Sequence, residues 1–150
     1  MFLTVHSAIG IAIGQNISNP LFAFISGFIL HYIFDIIPHG DTNVSPKYKN
    51  PIHIATAGII DLIILAIYFI FLLFSQVHLL TISIIAAVIG SIIPDILQAF
   101  YYAISRKLFY RWQKFHTLIH DAISQKYELN FFLGLIFQII ILIIFTLIII

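Results

Sequence analysis

The sequence has no cysteine and very little charge. Without cysteine there are no disulfide scaffolds and no thiolate metal sites. Only 9% of the residues are Asp, Glu, Lys or Arg, where a soluble domain carries about a quarter. The net charge of +1 gives no basic field for a phosphate backbone, which excludes a nucleic-acid-binding module. What is abundant is apolar: 61% of 150 residues, with mean hydropathy +1.10. The length allows one domain, and a soluble fold of that size cannot hide so much apolar surface. The same excess excludes a disordered chain. The scarce polar residues have an unusual make-up: seven histidines and five aspartates, but one glutamate.

A spanning helix needs about 20 mostly apolar residues. The apolar runs are 2–14, 20–37, 52–74, 79–93 and 129–150. The first is short and the other four read as full spans. The chain therefore reads as all-α, a polytopic integral membrane helical bundle with four full spans plus a shorter N-terminal helix, in one domain over residues 1–150. The connections read as 15–19, 39–51, 75–78 and 105–128. Within the last, residues 96–112 mix aromatics with cations, as at a membrane–water interface. That stretch reads either as the end of a long fourth helix or as a separate surface helix. Pro94 is expected to bend or break the chain. Segment 2–14 lacks the basic start of a secretory signal and reads as a retained helix. Its Gly10-x-x-x-Gly14 spacing lets another helix approach closely.

All seven cations lie in two connections. Lys47 and Lys49 are in one; Arg106, Lys107, Arg111, Lys114 and Lys126 are in the other. Two spans separate these connections, so both face one side. By the positive-inside rule that side is the cytoplasm. The expected location is the cell inner (cytoplasmic) membrane, multi-pass.

On this topology nearly all ionisable residues fall in one leaflet. His6 lies near the start of the first helix. His31 and Asp35 lie at the end of the second, followed by His39 and Asp41. His53 and Asp61 begin the third, Asp95 lies near the end of the fourth, and His116, His120 and Asp121 lie in the second basic connection. Only His78 falls on the far side, where it reads as surface. Ionisable groups inside a bilayer are costly and are paired, solvated or functional. His31 and Asp35 are one helical turn apart, as are His116 and His120, so each pair projects from one face. Imidazole and carboxylate pairs at this spacing grip a divalent cation. The expected metal ligands are His6, His31, Asp35, His39, Asp95, His116 and His120. They suffice for one or two divalent ions, zinc first, with manganese or iron as alternatives. Each also has a plainer reading: an interfacial His6, a packing pair at His31 and Asp35, a turn at Asp95, a solvated helix at His116 and His120. His39, Asp41 and Asp121 read equally as wet loop residues. Asp121 and Asp61 are the candidate catalytic groups, orienting a ligand or accepting a proton from water. Tyr32, Tyr101, Tyr102 and Trp112 read as interface anchors, and Gln138 as isolated in the last span.

The stretch Gly27-Phe-Ile-Leu-His31-Tyr-Ile-Phe-Asp35-Ile-Ile-Pro38-His39-Gly40 resembles the Gly-x-x-x-His-x-x-x-Asp-x-x-x-Pro signature of the bacterial membrane-bound metal-dependent hydrolase family. It is also similar to the His-x-x-x-Asp segment of zinc-dependent phospholipases C. His6, Ile93-Pro94-Asp95 and the pair His116 and His120 resemble further elements of the membrane family. Here Ile96-Leu97-Gln98 follow Pro94-Asp95, where the family usually continues with an acid and a histidine, and the motif order is permuted. The resemblance implies metal-dependent hydrolysis.

Two classes of function follow. One is a hydrolase working on a phosphoester of a lipid or other amphiphile at the cytoplasmic leaflet, with a metal-activated water. Its partners would be membrane lipid and a phospholipid-like substrate, with Lys107, Arg111 or Lys114 receiving the phosphate. The other is non-enzymatic: a metal or proton transporter, or a small partner-binding membrane protein. A transporter calls for polar residues continuing into the other leaflet, and that leaflet is almost wholly apolar. A histidine-lined haem site is a third reading, without an obvious axial pair.

Overall fold

The computed structural model describes residues 1–40, 51–127 and 129–150, apart from the side chains of 51–55, 121 and 123–126. The described residues form six helices and no strand. In order they are α1 (Leu3–Asn16), α2 (Pro20–Asp35), α3 (Pro51–Phe74), α4 (Ile82–Ala103), α5 (Tyr110–Tyr127) and α6 (Phe131–Ile149). Lys47, Lys49 and Asp41 lie outside the described residues.

Capping sets several of these boundaries. The Asn19 side chain accepts from Leu21 N at 2.9 Å and from Phe22 N at 3.3 Å, and Pro20 takes the first helical position of α2. Thr81 starts α4 through Ile84 N, and Asn130 starts α6 through Leu133 N. At the other end of α2, Pro38 disfavours helical geometry at Ile37.

Among the described residues, three helices are long and apolar enough to cross a membrane: Thr56–Phe74, Ile82–Ala103 and Phe131–Ile149. Four full spans were expected, and α2 is the one that falls short. Its 16 residues reach about 24 Å at about 1.5 Å per residue, below the roughly 30 Å of a hydrocarbon core. Two other expectations change. Most of the supposed connection 105–128 is a helix, α5. And α4 continues through Pro94 to Ala103, so the proline does not break it.

Each long helix buries one narrow stripe. In α3 the stripe is Asp61, Leu65, Tyr68 and Leu72; in α6 it is Gly134, Gln138, Ile141 and Ile149. These spacings of three and four residues define one helical face. The opposite faces are apolar and exposed, with Ile60, Ile63, Ile67 and Ile70 on α3 and Ile136, Ile140, Ile143 and Leu147 on α6. A soluble helix has the reverse pattern.

The short helices fill the middle. Ten of the fourteen residues of α1 are buried, and it packs against α2, α3, α4 and α6. Small residues permit this. A Cβ on Gly10 would lie 2.7 Å from Ser91 Oγ and 2.9 Å from Val88 Cα, and one on Gly14 would meet the Ile84 backbone. The Gly10-x-x-x-Gly14 spacing is therefore used within the chain, against α4. Gly27 of α2 and Gly90 of α4 make the same kind of contact, each facing a backbone carbonyl of the other helix.

Candidate metal centre

The seam that joins α2 to α4 changes character along its length. It begins with Ala23 and Gly27, which let the helices touch, and continues one turn at a time to His31 and Asp35. Both are fully buried. Asp95 of α4 meets them from the facing helix, and α5 brings His116 across. His116 Nε2 lies 3.5 Å from Asp35 Oδ2 and 3.9 Å from Asp95 Oδ1. His31 Nε2 lies 3.6 Å from Asp35 Oδ2 and 3.8 Å from Asp95 Oδ1. All four ligand atoms stand within 4.8 Å of one another. Ligands about 2.0–2.2 Å from a tetrahedral ion are separated by about 3.3–3.6 Å. The four His–Asp separations, 3.5–3.9 Å, are only slightly wider than that.

The protonation pattern also fits a cation. His31 Nδ1 lies 2.8 Å from the Ser91 carbonyl oxygen. A carbonyl only accepts, so Nδ1 carries the proton and a neutral ring turns a bare Nε2 toward the carboxylates. His31 Nε2 and Asp35 Oδ2 are buried and have no hydrogen-bond partner. Acceptors that converge at a buried site are unfavourable, and a bound cation would resolve this. A ligand histidine held through its second nitrogen is the usual arrangement at metal sites. These buried His and Asp groups can hold a metal ion.

A second group shares Asp35. The ligand atoms of Asp35, His39 and His120 also lie within 4.8 Å of one another. His39 Nδ1 donates to the Ile37 carbonyl at 2.7 Å, which directs Nε2 inward, 3.9 Å from Asp35 Oδ1. The Met1 amine donates to Asp35 Oδ1 at 2.7 Å and lies 2.8 Å from His39 Nε2. His6 lies beside both groups. Its Nε2 is 3.2 Å from Asp35 Oδ1 and 3.9 Å from Asp95 Oδ2, and its ring lies against that of His31, tilted by 31° with centroids 4.1 Å apart.

Burial sets the charge state of the α5 ligand. His116 is pulled down to about 4, first by desolvation and against the attraction of Asp35. It is therefore a neutral donor at pH 7. Aromatic rings line this region. Tyr32 packs edge-on against His31 at 5.1 Å, His116 at 5.8 Å and Phe115 at 5.4 Å, and Phe28 and Trp112 extend the lining. Trp112 Nε1 donates to the Pro94 carbonyl at 3.3 Å, which ties α5 beside Asp95. Tyr32 and Trp112 were expected at the membrane interface. Tyr32 instead lies inside, because His31 and Asp35 turn that end of α2 toward the other helices.

Asp61 has another task. Phe2, at the start of α1, offers no side-chain acceptor for the first free N–H groups of the helix. Asp61 of α3 supplies it. Its Oδ2 accepts from Leu3 N at 2.5 Å, and its Oδ1 accepts from Thr4 N at 3.3 Å and Thr4 Oγ1 at 2.8 Å. It thus fixes the start of α1, and through it the position of His6. The side chains of Asp121 and His53 lie outside the described residues. His78 is exposed in the turn between α3 and α4, at the opposite end of the bundle.

Gln138 is the residue that sequence reasoning missed. It was read as isolated, yet it is buried. Its Nε2 donates to the His39 carbonyl at 3.0 Å, and its Oε1 accepts from Phe2 N at 2.8 Å. One turn earlier, Gly134 lets the chain pass: a Cβ there would collide with the His39 carbonyl. Gly40, with φ of 87°, then turns the backbone in a way that favours glycine. The available signal was a lone amide in an otherwise apolar span, four residues from a glycine.

Comparisons of the chain with protein-family models, with curated proteins and with solved structures gave no match.

Proposed function

We propose that this chain is a membrane-embedded, metal-dependent hydrolase whose site opens toward the cytoplasmic leaflet. The observation that carries the reading is the convergence of His31, Asp35, Asp95 and His116 from three helices into one tetrahedron-sized set. Two imidazoles and two carboxylates suit zinc best, with manganese and iron next. Asp35, His39 and His120 are the residues for a second ion, which would have to displace the Met1 amine from between Asp35 and His39. A divalent ion held by three of the four groups of the first set, or by all four in five-coordination, would leave a position for water; it would supply a Lewis acid and lower the pKa of that water to about 7.

The chain's own residues do the rest. Ser91 and Ile37 fix the tautomers of His31 and His39 through their carbonyls. His6 hydrogen-bonds Asp35 and keeps its carboxylate turned inward. To the extent that the aromatic rings displace bulk water, they strengthen the electrostatic interactions beside them. Asp95 is the most open of the four-residue set, 17% exposed where His31 and Asp35 are fully buried. Substrate would enter past it. Asp121 is a candidate proton acceptor. The depth of the site favours a phosphoester of a lipid or other amphiphile, and the resemblance to membrane-bound metal-dependent hydrolases favours the same chemistry. The side of the membrane follows from the cation distribution.

Transport is the weaker reading. Among the described residues the His/Asp set occupies one end of the bundle only. An apolar layer of Ala8, Ile11, Ala12, Leu72 and Ile84 separates it from the polar turn near His78. Incubating the zinc-loaded protein with phospholipid in mixed micelles tests hydrolysis: headgroup or phosphate release that disappears in His31→Ala supports it. Metal flux through proteoliposomes without such release would select transport.

A further inference from the structure

α5 has two opposite faces with different chemistry. Its inner face buries Gln113, His116 and His120. At about 100° per residue these lie within an arc of about 60°. Nearly opposite them lie Arg111, Lys114 and Leu118. Leu118 is 68% exposed and Phe115 46%, and in the preceding turn Ile104 and Leu108 are exposed as well. Arg106, Lys107, Arg111 and Lys114 are all exposed beside them. No acidic residue occurs between Asp95 and Asp121.

A face meeting only water gains nothing from four large apolar side chains. A face meeting only hydrocarbon does not tolerate four cations. The mixture suits the headgroup layer, where apolar side chains reach acyl chains and cations stay at phosphate depth. The uniform sign of the charge selects anionic lipid.

We propose that the outer face of α5, with the 104–109 turn, docks onto an anionic membrane surface, and that this docking holds His116 and His120 against Asp35 and Asp95. The second half rests on the metal-centre reading above. One rigid helix carries both faces, so fixing the outer face fixes the inner one. Bilayer charge would thereby regulate metal affinity.

The absence of cysteine makes the test clean, because Leu118→Cys gives a single spin-label position. The full chain is placed in nanodiscs of phosphatidylcholine alone or with about one-third phosphatidylglycerol. In the anionic discs the label should be reached by oxygen and shielded from a water-soluble nickel chelate. High salt, or Gln at Arg106, Lys107, Arg111 and Lys114 together, should return it to nickel. Zinc affinity, read by competition with a chelating dye in the same discs, should be about tenfold tighter or more in anionic lipid, given the attraction of each surface cation. The four-Gln variant should lose that lipid dependence. A label open to nickel in both lipids, or a four-Gln variant that behaves as the native chain, overturns docking. A label immobilised against a second label whatever the lipid charge means that a second copy covers the face, which also overturns it. A label that moves while zinc affinity stays flat refutes the coupling. If no zinc binds in any disc, the metal reading fails, and the label alone still decides docking.

Discussion

The two ends of the helix bundle use the same seams for different purposes. At one end the seams carry Ala8, Ile11, Ala12, Leu72 and Ile84, which pack as an apolar core. At the other they carry His6, His31, Asp35 and His116, buried just as deeply. In α2 the switch comes within one turn, between Gly27 and His31. The comparison separates two costs. The apolar end is held by close packing, so added volume harms it. The polar end holds buried carboxylates and imidazoles that are costly unless compensated, so removing one compensating group harms it.

The largest effect should come from Asp35, which belongs to both candidate ligand groups. Asp35→Ala should abolish bound metal, measured by elemental analysis of the purified protein. Retention of metal would show that the polar end is not organised around this carboxylate. Next is Gly14→Leu at the apolar end. Its Cβ would collide with the Ile84 backbone, so the cost should be about 1–3 kcal/mol or more. Thermal unfolding in detergent should show a lower midpoint, with the metal content of the folded fraction unchanged. Equal loss of metal and fold in both variants would erase the distinction between the ends.

Gln138→Leu should be milder. It leaves the His39 carbonyl and the Phe2 N–H without their partner, at about 1–3 kcal/mol. Metal affinity should fall with it, more for a second equivalent than for the first. The pH response sharpens the contrast further. His116 is held at about 4 in the folded chain against 6.5 ordinarily. The unfolded chain therefore binds more protons between those values, and stability should fall as pH drops from about 6.5 to about 4. Above that window the contribution of His116 is fully present. His116→Gln should flatten this part of a pH-dependent unfolding series. Smallest of all is His78→Ala, at an exposed position on the apolar end. It should change stability by less than about 0.5 kcal/mol and leave metal content unaltered.

Much of this was legible in the sequence because it is local. The runs behind α3, α4 and α6 are long and apolar enough to register on composition alone. The i, i+4 spacing of His31 and Asp35, and of His116 and His120, shows which side chains share a face. The failures are three-dimensional or marginal. α2 was counted by its apolar run, but its helix stops at Asp35, before Pro38. α5 has low hydropathy and five cations in or beside it, so it reads as a connection; its buried face is visible only once its neighbours are known. Asp61 and Asp95 look alike as lone acids in apolar helices. One meets the free N–H groups of α1 and the other meets His31, and only the packing of α1 decides between them. Gln138 likewise shows its role only when the His39 turn crosses Gly134.

The central claim is that the buried His/Asp end binds metal, and metal stoichiometry tests it most directly. Elemental analysis of the detergent-purified chain, repeated after chelation and alongside His31→Ala, should find about one or two divalent ions per chain. These should be lost on chelation, with a lower unfolding midpoint, and lost in the variant. Metal well below one equivalent under every loading condition, with an unfolding midpoint indifferent to chelator, would contradict the account.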